Sequence, residues 1–509
     1  MSLFTTKPLD AVLAEAREES QHSLKRVLGP THLVMLGIGA IIGVGIFVLT
    51  GSTAAIYAGP AVVLSFVLAG VVSALAGLCY AEFAAMIPVA GSAYTYGYAT
   101  LGELVAWIIG WDLILEYAFG AATVASGWSA NFSGLLEDLG LPIIPPEWTD
   151  TPGTVLVQYQ GHWIPAATLP MEVNAAGLPH ATAIFNLVAF LAILAVTAVL
   201  VLGISESATL NSIIVVVKVA TVLIFVGVAG LYLLKHPDVA VRNWHPFVPA
   251  NTGTFGSFGW SGVARGAAVI FFAYIGFDAV STAAQEARNP QRDMPIGILG
   301  SLAICTVLYI VTAGLLTGVV SYTQLNVAAP VALGMDATGV RGSGTLVRLG
   351  TLAGLSTTML VMMLGQSRVF YAMSRDGLLP AWAGAIHPKR RTPWISTIVV
   401  GVCVAFFGAL IPIGTLGQLV AIGTLLAFVI VSAGILILRR TRPDLPRPFR
   451  TPGVPAVPIL SVIVALLLMA SLPWQTWVRL IVWLVIGLVV YFAYGRRHSL
   501  VGRSNAPRT

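Results

Sequence analysis

Long apolar stretches separated by short polar connections dominate this sequence. A helix needs roughly 20 predominantly apolar residues to cross the hydrocarbon core of a bilayer, because every backbone polar group must be satisfied within the segment. By this measure the chain contains twelve spanning segments, at about 31–56, 60–87, 102–128, 181–203, 209–233, 262–286, 297–320, 345–373, 394–412, 415–438, 456–473 and 477–494. The pattern predicts an all-α membrane protein with twelve transmembrane helices.

Composition supports a lipid environment. Of the 509 residues, 57% are hydrophobic and only 9% are charged, which is too little polar surface to cover a water-soluble protein of this size. The net charge is +6, but no basic stripe is interleaved with aromatic residues, so we predict no nucleic-acid partner. The lipid bilayer is the expected surrounding.

The distribution of basic residues orients the chain. With both termini placed in the cytoplasm, 20 lysines and arginines fall on the cytoplasmic side and 6 on the outer side, as retention of positive charge inside requires. The loop at about 129–180 has acidic residues but no lysine or arginine, so it should face outward. We predict a multi-pass protein of the cell membrane with cytoplasmic tails at 1–30 and 495–509.

Glycine is concentrated in the first predicted span, where Gly37, Gly39, Gly43 and Gly45 fall within nine residues. Glycine costs about 1 kcal/mol relative to alanine in a helix interior, so the cluster predicts an unwound helix at bilayer depth. The alternative is close helix packing through the G-x-x-x-G face of Gly39 and Gly43. Gly45 continues the cluster off that face, which favours unwinding.

A second irregularity lies in the sixth span, where Gly276 stands among aromatic residues and Asp278 follows. It comes five spans after the first, and interruptions at corresponding places in two repeats are the best sequence indication of a transporter site. An odd number of spans per repeat inverts the second copy. We therefore predict a five-plus-five inverted repeat over 31–438, with helices 1 and 6 broken, and a peripheral helix pair at 456–494.

Such breaks free backbone groups that suit an amino acid zwitterion. The N–H groups at the start of a half-helix can hold a carboxylate, and the C=O groups at the end of another can hold an ammonium. The predicted substrate-binding residues are Ile41, Gly43, Val44 and Gly45 in the first span, on the carboxylate side, and Phe272, Ala273 and Ile275 in the sixth, on the ammonium side.

Lys218 lies near the middle of the fifth span, too deep for its ammonium to reach either interface. An ionisable residue at that depth costs about 2.5–3.5 kcal/mol on insertion scales, so it is a functional candidate. We predict that it gains and loses a proton during transport. The alternative is a permanently charged tether bonded to the carbonyls of a broken helix.

Four further residues near the predicted site are weaker functional candidates. Glu116, midway along the third span, can tune a substrate pocket or a proton path, or can be a buried acid bonded to neighbouring helices. Asp278 more simply stabilises the half-helix that follows the second break. Phe277 is the predicted gate, with packing as the alternative, and Met362 is either an adaptable pocket wall or a core residue.

Enzymatic and metal chemistry find no support in the motifs. Cys79, Cys305 and Cys403 fall inside apolar spans without the spacing of a zinc site or disulfide framework. The spanning segments offer no nucleophile–base pair and no H-E-x-x-H motif. We expect no enzyme activity, no metal and no cofactor.

Several long motifs resemble the amino acid–polyamine–organocation permeases, and specifically their bacterial cationic amino acid transporter branch. The matching segments are 39–47, 90–94, 110–117, 271–284, 286–295 and 365–380. The resemblance implies a five-plus-five inverted repeat and amino acid uptake coupled to protons. It implies a substrate carboxylate at Val44 and Gly45, an ammonium at Phe272, Ala273 and Ile275, a coupling lysine at Lys218, a pocket acid at Glu116 and a pocket position at Met362.

One departure from the family pattern concerns Val44, which stands where close relatives have a hydroxyl residue and so leaves backbone N–H groups as the donors. The expected function is proton-coupled symport, by alternating access, of small neutral amino acids, with cationic ones also in range. The alternative is a cationic amino acid exchanger or uniporter. A non-transporting sensor and a membrane enzyme are further hypotheses. The expected partners are an amino acid and a proton; the sequence does not identify a small membrane subunit.

Overall fold

The computed structural model describes residues 5–8, 28–87, 92–141, 144–159, 162–166, 169, 173, 175–202, 208–327, 329–340, 342–388, 390 and 392–501. Most of the predicted N-terminal tail, and residues 502–509 of the C-terminal tail, lie outside the described residues.

Helices form almost all of the described chain. They are α1 Pro30–Ile41, α2 Thr50–Thr53, α3 Val62–Met86, α4 Ser92–Thr100, α5 Glu103–Ile114, α6 Gly120–Asp138, α7 Leu187–Leu202, α8 Ala208–Lys235, α9 Pro237–Asn243, α10 Gly259–Ile270, α11 Ala279–Thr282, α12 Pro290–Val319, α13 Pro330–Asp336, α14 Ser343–Arg375, α15 Trp394–Leu410, α16 Ile413–Thr441, α17 Ala456–Ser471, α18 Trp474–Val490 and α19 Arg496–His498. Single π-helical turns cover Gly45–Leu49 and Leu115–Phe119.

Eight helical segments among the described residues are long and apolar enough to cross a membrane. They are Gly45–Met86, Glu103–Asp138, Ser212–Lys235, Gly259–Thr282, Pro290–Val319, Ser343–Arg375, Ile413–Thr441 and Trp474–His498. Four shorter apolar helices, α1, α7, α15 and α17, accompany them. The prediction of a helical membrane protein is confirmed.

Proline and glycine set several helix boundaries. Proline occupies the first position of α9, α12 and α13, where its missing N–H has no intrahelical partner to lose. Gly59 has a φ of +61° and precedes Pro60, so the chain turns there between the first and second predicted spans.

Helix α1, which carries Gly37 and Gly39 of the glycine cluster, packs against α12, α8 and α14. Helix α3 lies against α12 and α10. The outer helices present apolar side chains to their surroundings, such as Leu231 on α8 and Val485 on α18. An exposed apolar surface of this kind fits a lipid environment.

The loop predicted at about 129–180 contains strands, so the all-α prediction is wrong for this segment. Strands β1 Val155–Tyr159, β2 His162–Pro165 and β3 His180–Thr182 form an antiparallel sheet in the order β2-β1-β3. Valine, tyrosine and tryptophan favour the pleated conformation. Strands this short lie far below the roughly 20 apolar residues of a membrane span, so the hydrophobic pattern does not predict them.

Candidate functional site

The first helix is interrupted where the glycine cluster predicts. Helix α1 ends at Ile41, and Ile42 is extended with a ψ of 100° before the chain becomes helical again. In the second half, Phe47 N–H bonds to Gly43 C=O at 3.4 Å. The amides of Gly43, Val44 and Gly45 therefore lie at a half-helix N-terminus, where donors have no partner within the helix.

The carbonyls at the end of α1 are held by side chains from three other helices. Lys218 Nζ of α8 donates to Gly39 C=O at 2.7 Å and to Ile42 C=O at 2.9 Å. Tyr309 of α12 donates its hydroxyl to Ile41 C=O at 2.7 Å. The negative end of the half-helix is thus neutralised by an ammonium and a hydroxyl group.

Thr358 of α14 belongs to the same cluster. Its hydroxyl lies 3.3 Å from Lys218 Nζ and 3.1 Å from Ile42 C=O. Lys218 is fully buried, so these oxygen atoms replace the water that an ammonium otherwise requires. These contacts have the geometry of the alternative for Lys218, a charged tether bonded to the carbonyls of a broken helix. That Lys218 gains and loses a proton during transport stays a prediction.

The sixth predicted span is interrupted in a comparable way. Helix α10 ends at Ile270, a 3₁₀ turn covers Phe271–Tyr274, and Ile275 is extended with a ψ of 138°. Gly276 then adopts a φ of +113°, which side chains other than glycine rarely adopt. Phe272 C=O accepts the Ile275 amide at 3.2 Å, so this predicted ammonium ligand already has one donor.

The two interruptions contact each other directly. A side-chain carbon added at Gly45 would overlap Ala273, and one added at Gly276 would lie 2.8 Å from the Cβ of Ala40. The segments predicted to hold the carboxylate and the ammonium are therefore in contact across the two breaks, and the substrate roles of their residues stay predictions. Both sets are buried.

Apolar side chains border this pair of breaks. Val44 faces Gly127 of α6, whose added Cβ would lie 2.6 Å from Val44 Cγ2. Met362 faces Gly120 in the same way, with its sulfur 2.9 Å from the added carbon. Phe277 packs against the rings of Tyr80 and Phe428, at centroid distances of 5.7 and 5.2 Å.

Glu116 and Asp278 meet beside the second interruption. Both are fully buried and their carboxyl groups interact directly. Tyr117 donates its hydroxyl to Asp278 Oδ2 at 2.6 Å. Glu116 is thus grouped with Asp278, a contact that the sequence reading did not foresee because the two residues are distant along the chain.

Sequence reasoning missed Thr358, Tyr309 and Tyr117. Each is a hydroxyl residue within an apolar helix. A threonine there commonly bonds to its own helix backbone, and a tyrosine commonly packs as an aromatic residue, so no local pattern distinguishes them. Only the three-dimensional structure identifies them, because each bonds to a backbone carbonyl at a helix break or to a carboxyl group that is distant in sequence.

Polar contacts also close the end of the molecule that holds the N-terminal segment. Lys7 Nζ lies 2.8 Å from Asp376 Oδ1, and Tyr94 donates its hydroxyl to Asp376 Oδ2 at 2.7 Å. Arg368 pairs with Glu286 at 2.7 Å, immediately after the second broken helix. These contacts link the connections that follow several of the membrane helices.

Two facing helix interruptions at the buried centre of a helical membrane protein are typical of secondary transporters. A family model described as amino acid permease matches residues 28–492, and the chain belongs to this family. The family resemblance stated from the sequence motifs is therefore confirmed.

Named relatives are similar over almost the whole chain. The branched-chain amino acid permease BcaP of Bacillus subtilis (strain 168) is 45% identical over 499 residues, covering 98% of each chain. The methylthioribose transporter of the same organism is 43% identical over 502 residues, covering 99% of this chain and 100% of that one. The vacuolar cationic amino acid transporter 4 of Arabidopsis thaliana is 35% identical over 443 residues, or 87% of this chain and 68% of that one.

Proposed function

We propose that this protein is a proton-coupled symporter that imports neutral amino acids, including branched-chain ones, across the cell membrane by alternating access. The observation that carries the proposal is the direct contact of Gly45 with Ala273, which places the half-helix after the first break against the turn that precedes the second. Separating these two breaks would open space for a zwitterion between complementary partners.

The proposed topology has twelve membrane helices in a five-plus-five inverted repeat, with two peripheral helices and both termini cytoplasmic. The eight long apolar segments and the four shorter ones fall within or close to the predicted spans, which supports this arrangement. The excess of basic residues on one side supports the orientation.

Lys218 is the proposed coupling residue. When protonated, its ammonium offers donors to Gly39 C=O, Ile42 C=O and Thr358 at once. Loss of the proton removes the charge and one donor, which weakens the hold on the end of α1. Proton binding would in this way favour one position of the first broken helix.

A neutral, apolar substrate side chain is favoured by the groups around the breaks. Val44, Met362 and Phe277 provide buried apolar surface there. Both bacterial relatives described above are named for compounds without a net charge.

The test is uptake by purified protein in proteoliposomes. With an inward proton gradient, labelled leucine, isoleucine, valine and alanine should accumulate above equilibrium, and a protonophore should abolish the accumulation. Uptake that ignores the gradient, together with strong arginine exchange, would instead establish the cationic exchanger.

A second candidate substrate follows from the similarity to the methylthioribose transporter. Methylthioribose has neither carboxylate nor ammonium, so it would not use the complementary amides and carbonyls. Uptake of labelled leucine in the presence of unlabelled methylthioribose separates the two candidates. Strong inhibition of leucine uptake at a comparable methylthioribose concentration would favour methylthioribose as the substrate.

A further inference from the structure

Two acidic side chains meet in the buried centre of the protein without a counter-charge. Glu116 lies on the π-helical turn Leu115–Phe119, and Asp278 lies two residues after Gly276, at the start of the half-helix that follows the break. Both are 0% exposed and their carboxyl groups interact directly. They therefore join the third membrane helix to the second break.

Their oxygen atoms lack the partners that two ionised carboxylates need. Both oxygens of Glu116, and Oδ1 of Asp278, accept no hydrogen bond from the described residues. Tyr117 donates its hydroxyl to Asp278 Oδ2. Two ionised carboxylates repel and offer each other no donor, and an uncompensated buried charge costs several kcal/mol.

The groups that face the pair from neighbouring elements are acidic, phenolic or hydroxylic, and none carries a positive charge. They are Asp112 on α5, Tyr80 on α3, Tyr117 on the π-helical turn, Tyr96 on α4 and Thr424 on α16. Neither carboxyl forms an ion pair with a lysine, arginine or histidine of the described chain. A single shared proton supplies the missing donor and removes one of the two charges.

Tyr80 is a second indication that this place holds a titrating site. Its ring packs edge-on against Phe277, its hydroxyl is fully buried in the electrostatic field of Asp278 and Glu116, and that hydroxyl has no partner in the described chain. Buried hydroxyl groups are rarely left unpaired. A phenol so placed can bond to whichever carboxyl oxygen is ionised.

A row of polar side chains leads away from the pair. Ser281, with a buried and unpartnered Oγ, follows Asp278 by three residues, and Thr282 comes next. Arg368 lies 3.4 Å from the Thr282 hydroxyl and pairs with Glu286, and these two side chains are 24% and 21% exposed. Ser281, Thr282 and Glu286 follow Asp278 along the chain, and the partly exposed ion pair of Glu286 with Arg368 lies on the side proposed to be cytoplasmic.

We propose that Glu116 and Asp278 form a proton-binding site, separate from Lys218, that exchanges its proton with the cytoplasm and controls the second broken helix. The inference rests on the proposed proton-coupled transport. The proton leaves a carboxyl O–H for cytoplasmic water, which leaves two adjacent carboxylates. Their repulsion pushes the half-helix that begins near Asp278 away from the third helix. Rebinding of one proton brings the two together again.

The experiment is leucine exchange in proteoliposomes with equal pH on both sides, measured from acidic to alkaline pH. A single-proton step changes the rate by up to about tenfold per pH unit on one side of its midpoint. Wild type should show such a step in addition to the pH dependence that Lys218 contributes, whereas Glu116→Gln and Asp278→Asn should lose the step of the pair and keep the contribution of Lys218. A flat wild-type profile, or variants that follow the wild-type profile, would overturn the proposal.

Asp112→Asn is the neighbouring-acid control. Asp112 is another buried, unpartnered acid of the same helix, four residues before Glu116, and its charge acts on Glu116. Because Asp112 is not a member of the pair, its neutralisation should move the midpoint of the step without removing the step. If the first two variants fail to fold by size-exclusion chromatography, Tyr117→Phe decides: a shifted midpoint supports the site, and an unchanged midpoint contradicts it.

The outcome stays separate from that of the proposed function. If leucine accumulation by the wild type does not depend on an imposed proton gradient, symport is contradicted. The pH dependence of leucine exchange at equal pH on both sides still tests the acidic pair in that case. A wild type that accumulates leucine with the gradient, while both pair variants keep its pH profile, retains symport and loses the pair.

Discussion

Gly45 and Ala273 contact each other backbone to backbone, across the two interruptions that divide the first and sixth predicted spans. We expect Gly45→Ala to lower leucine uptake by more than about tenfold, because the added carbon keeps the half-helices from closing, and a loss of this size corresponds to about 1.4 kcal/mol. Initial uptake rates and size-exclusion profiles measure activity and folding. Gly227→Ala is the control, since a carbon added there meets no atom within 4 Å. Equal rates for both variants would contradict the required closure.

Lys218→Ala should reduce proton-driven accumulation to passive equilibration, while leucine binding is partly retained. The substitution removes both bonds to the end of α1 and the proton that they depend on. Uptake with and without a proton gradient, with binding by calorimetry, measures the two effects. Lys235→Ala, on an exposed residue at the end of the same helix, should behave as wild type. Undiminished accumulation in Lys218→Ala would rule out the coupling role.

Val44→Thr should tighten binding of the substrate carboxylate by about 1 kcal/mol, or roughly fivefold, because it adds a hydroxyl donor beside the backbone amides. Threonine has nearly the shape of valine, so the contact with Gly127 is preserved. Calorimetric titration with leucine measures the change. An unchanged affinity would show that the backbone donors suffice, and leucinol, which lacks the carboxylate, should gain nothing from the substitution.

Glu82→Gln should destabilise the fold without a direct effect on the site. Glu82 is fully buried and accepts bonds from Arg439 Nη2 at 2.7 Å and from the Thr451 amide at 2.7 Å. Disrupting a buried ion pair costs about 3–5 kcal/mol. The melting temperature in detergent should fall clearly. Asp444→Asn should leave it almost unchanged, because Asp444 is exposed and lies 3.6 Å from Arg442; similar losses in both variants would contradict the structural role.

The sequence predicted those features of this protein that have a local cause. Glycines that destabilise a helix interior indicated the break after Ile41, and the hydrophobic stretches indicated the helices. Lys218 stood out because a charge at that depth is costly. By contrast, Thr358 and Tyr309 are ordinary residues of their own helices, and their roles arise when α14 and α12 pack against α1.

The acidic pair is the clearest case of what the sequence alone could not supply. Glu116 and Asp278 were each recognised as buried acids, but their contact depends on how the third helix packs against the second break. The strands at 155–182 were missed for another reason, since they are short and lie between long spans. Side-chain contacts and short extended runs therefore required the structure.

The position of Lys218 Nζ between Gly39 C=O and Ile42 C=O has a stoichiometric consequence. A dissolved metal ion would fill such a carbonyl-lined place according to its concentration, so its occupancy would follow the salt content of the medium. The ammonium of Lys218 is covalently attached, so it is present once in every molecule at any salt concentration. What can vary at this position is the number of protons on the nitrogen.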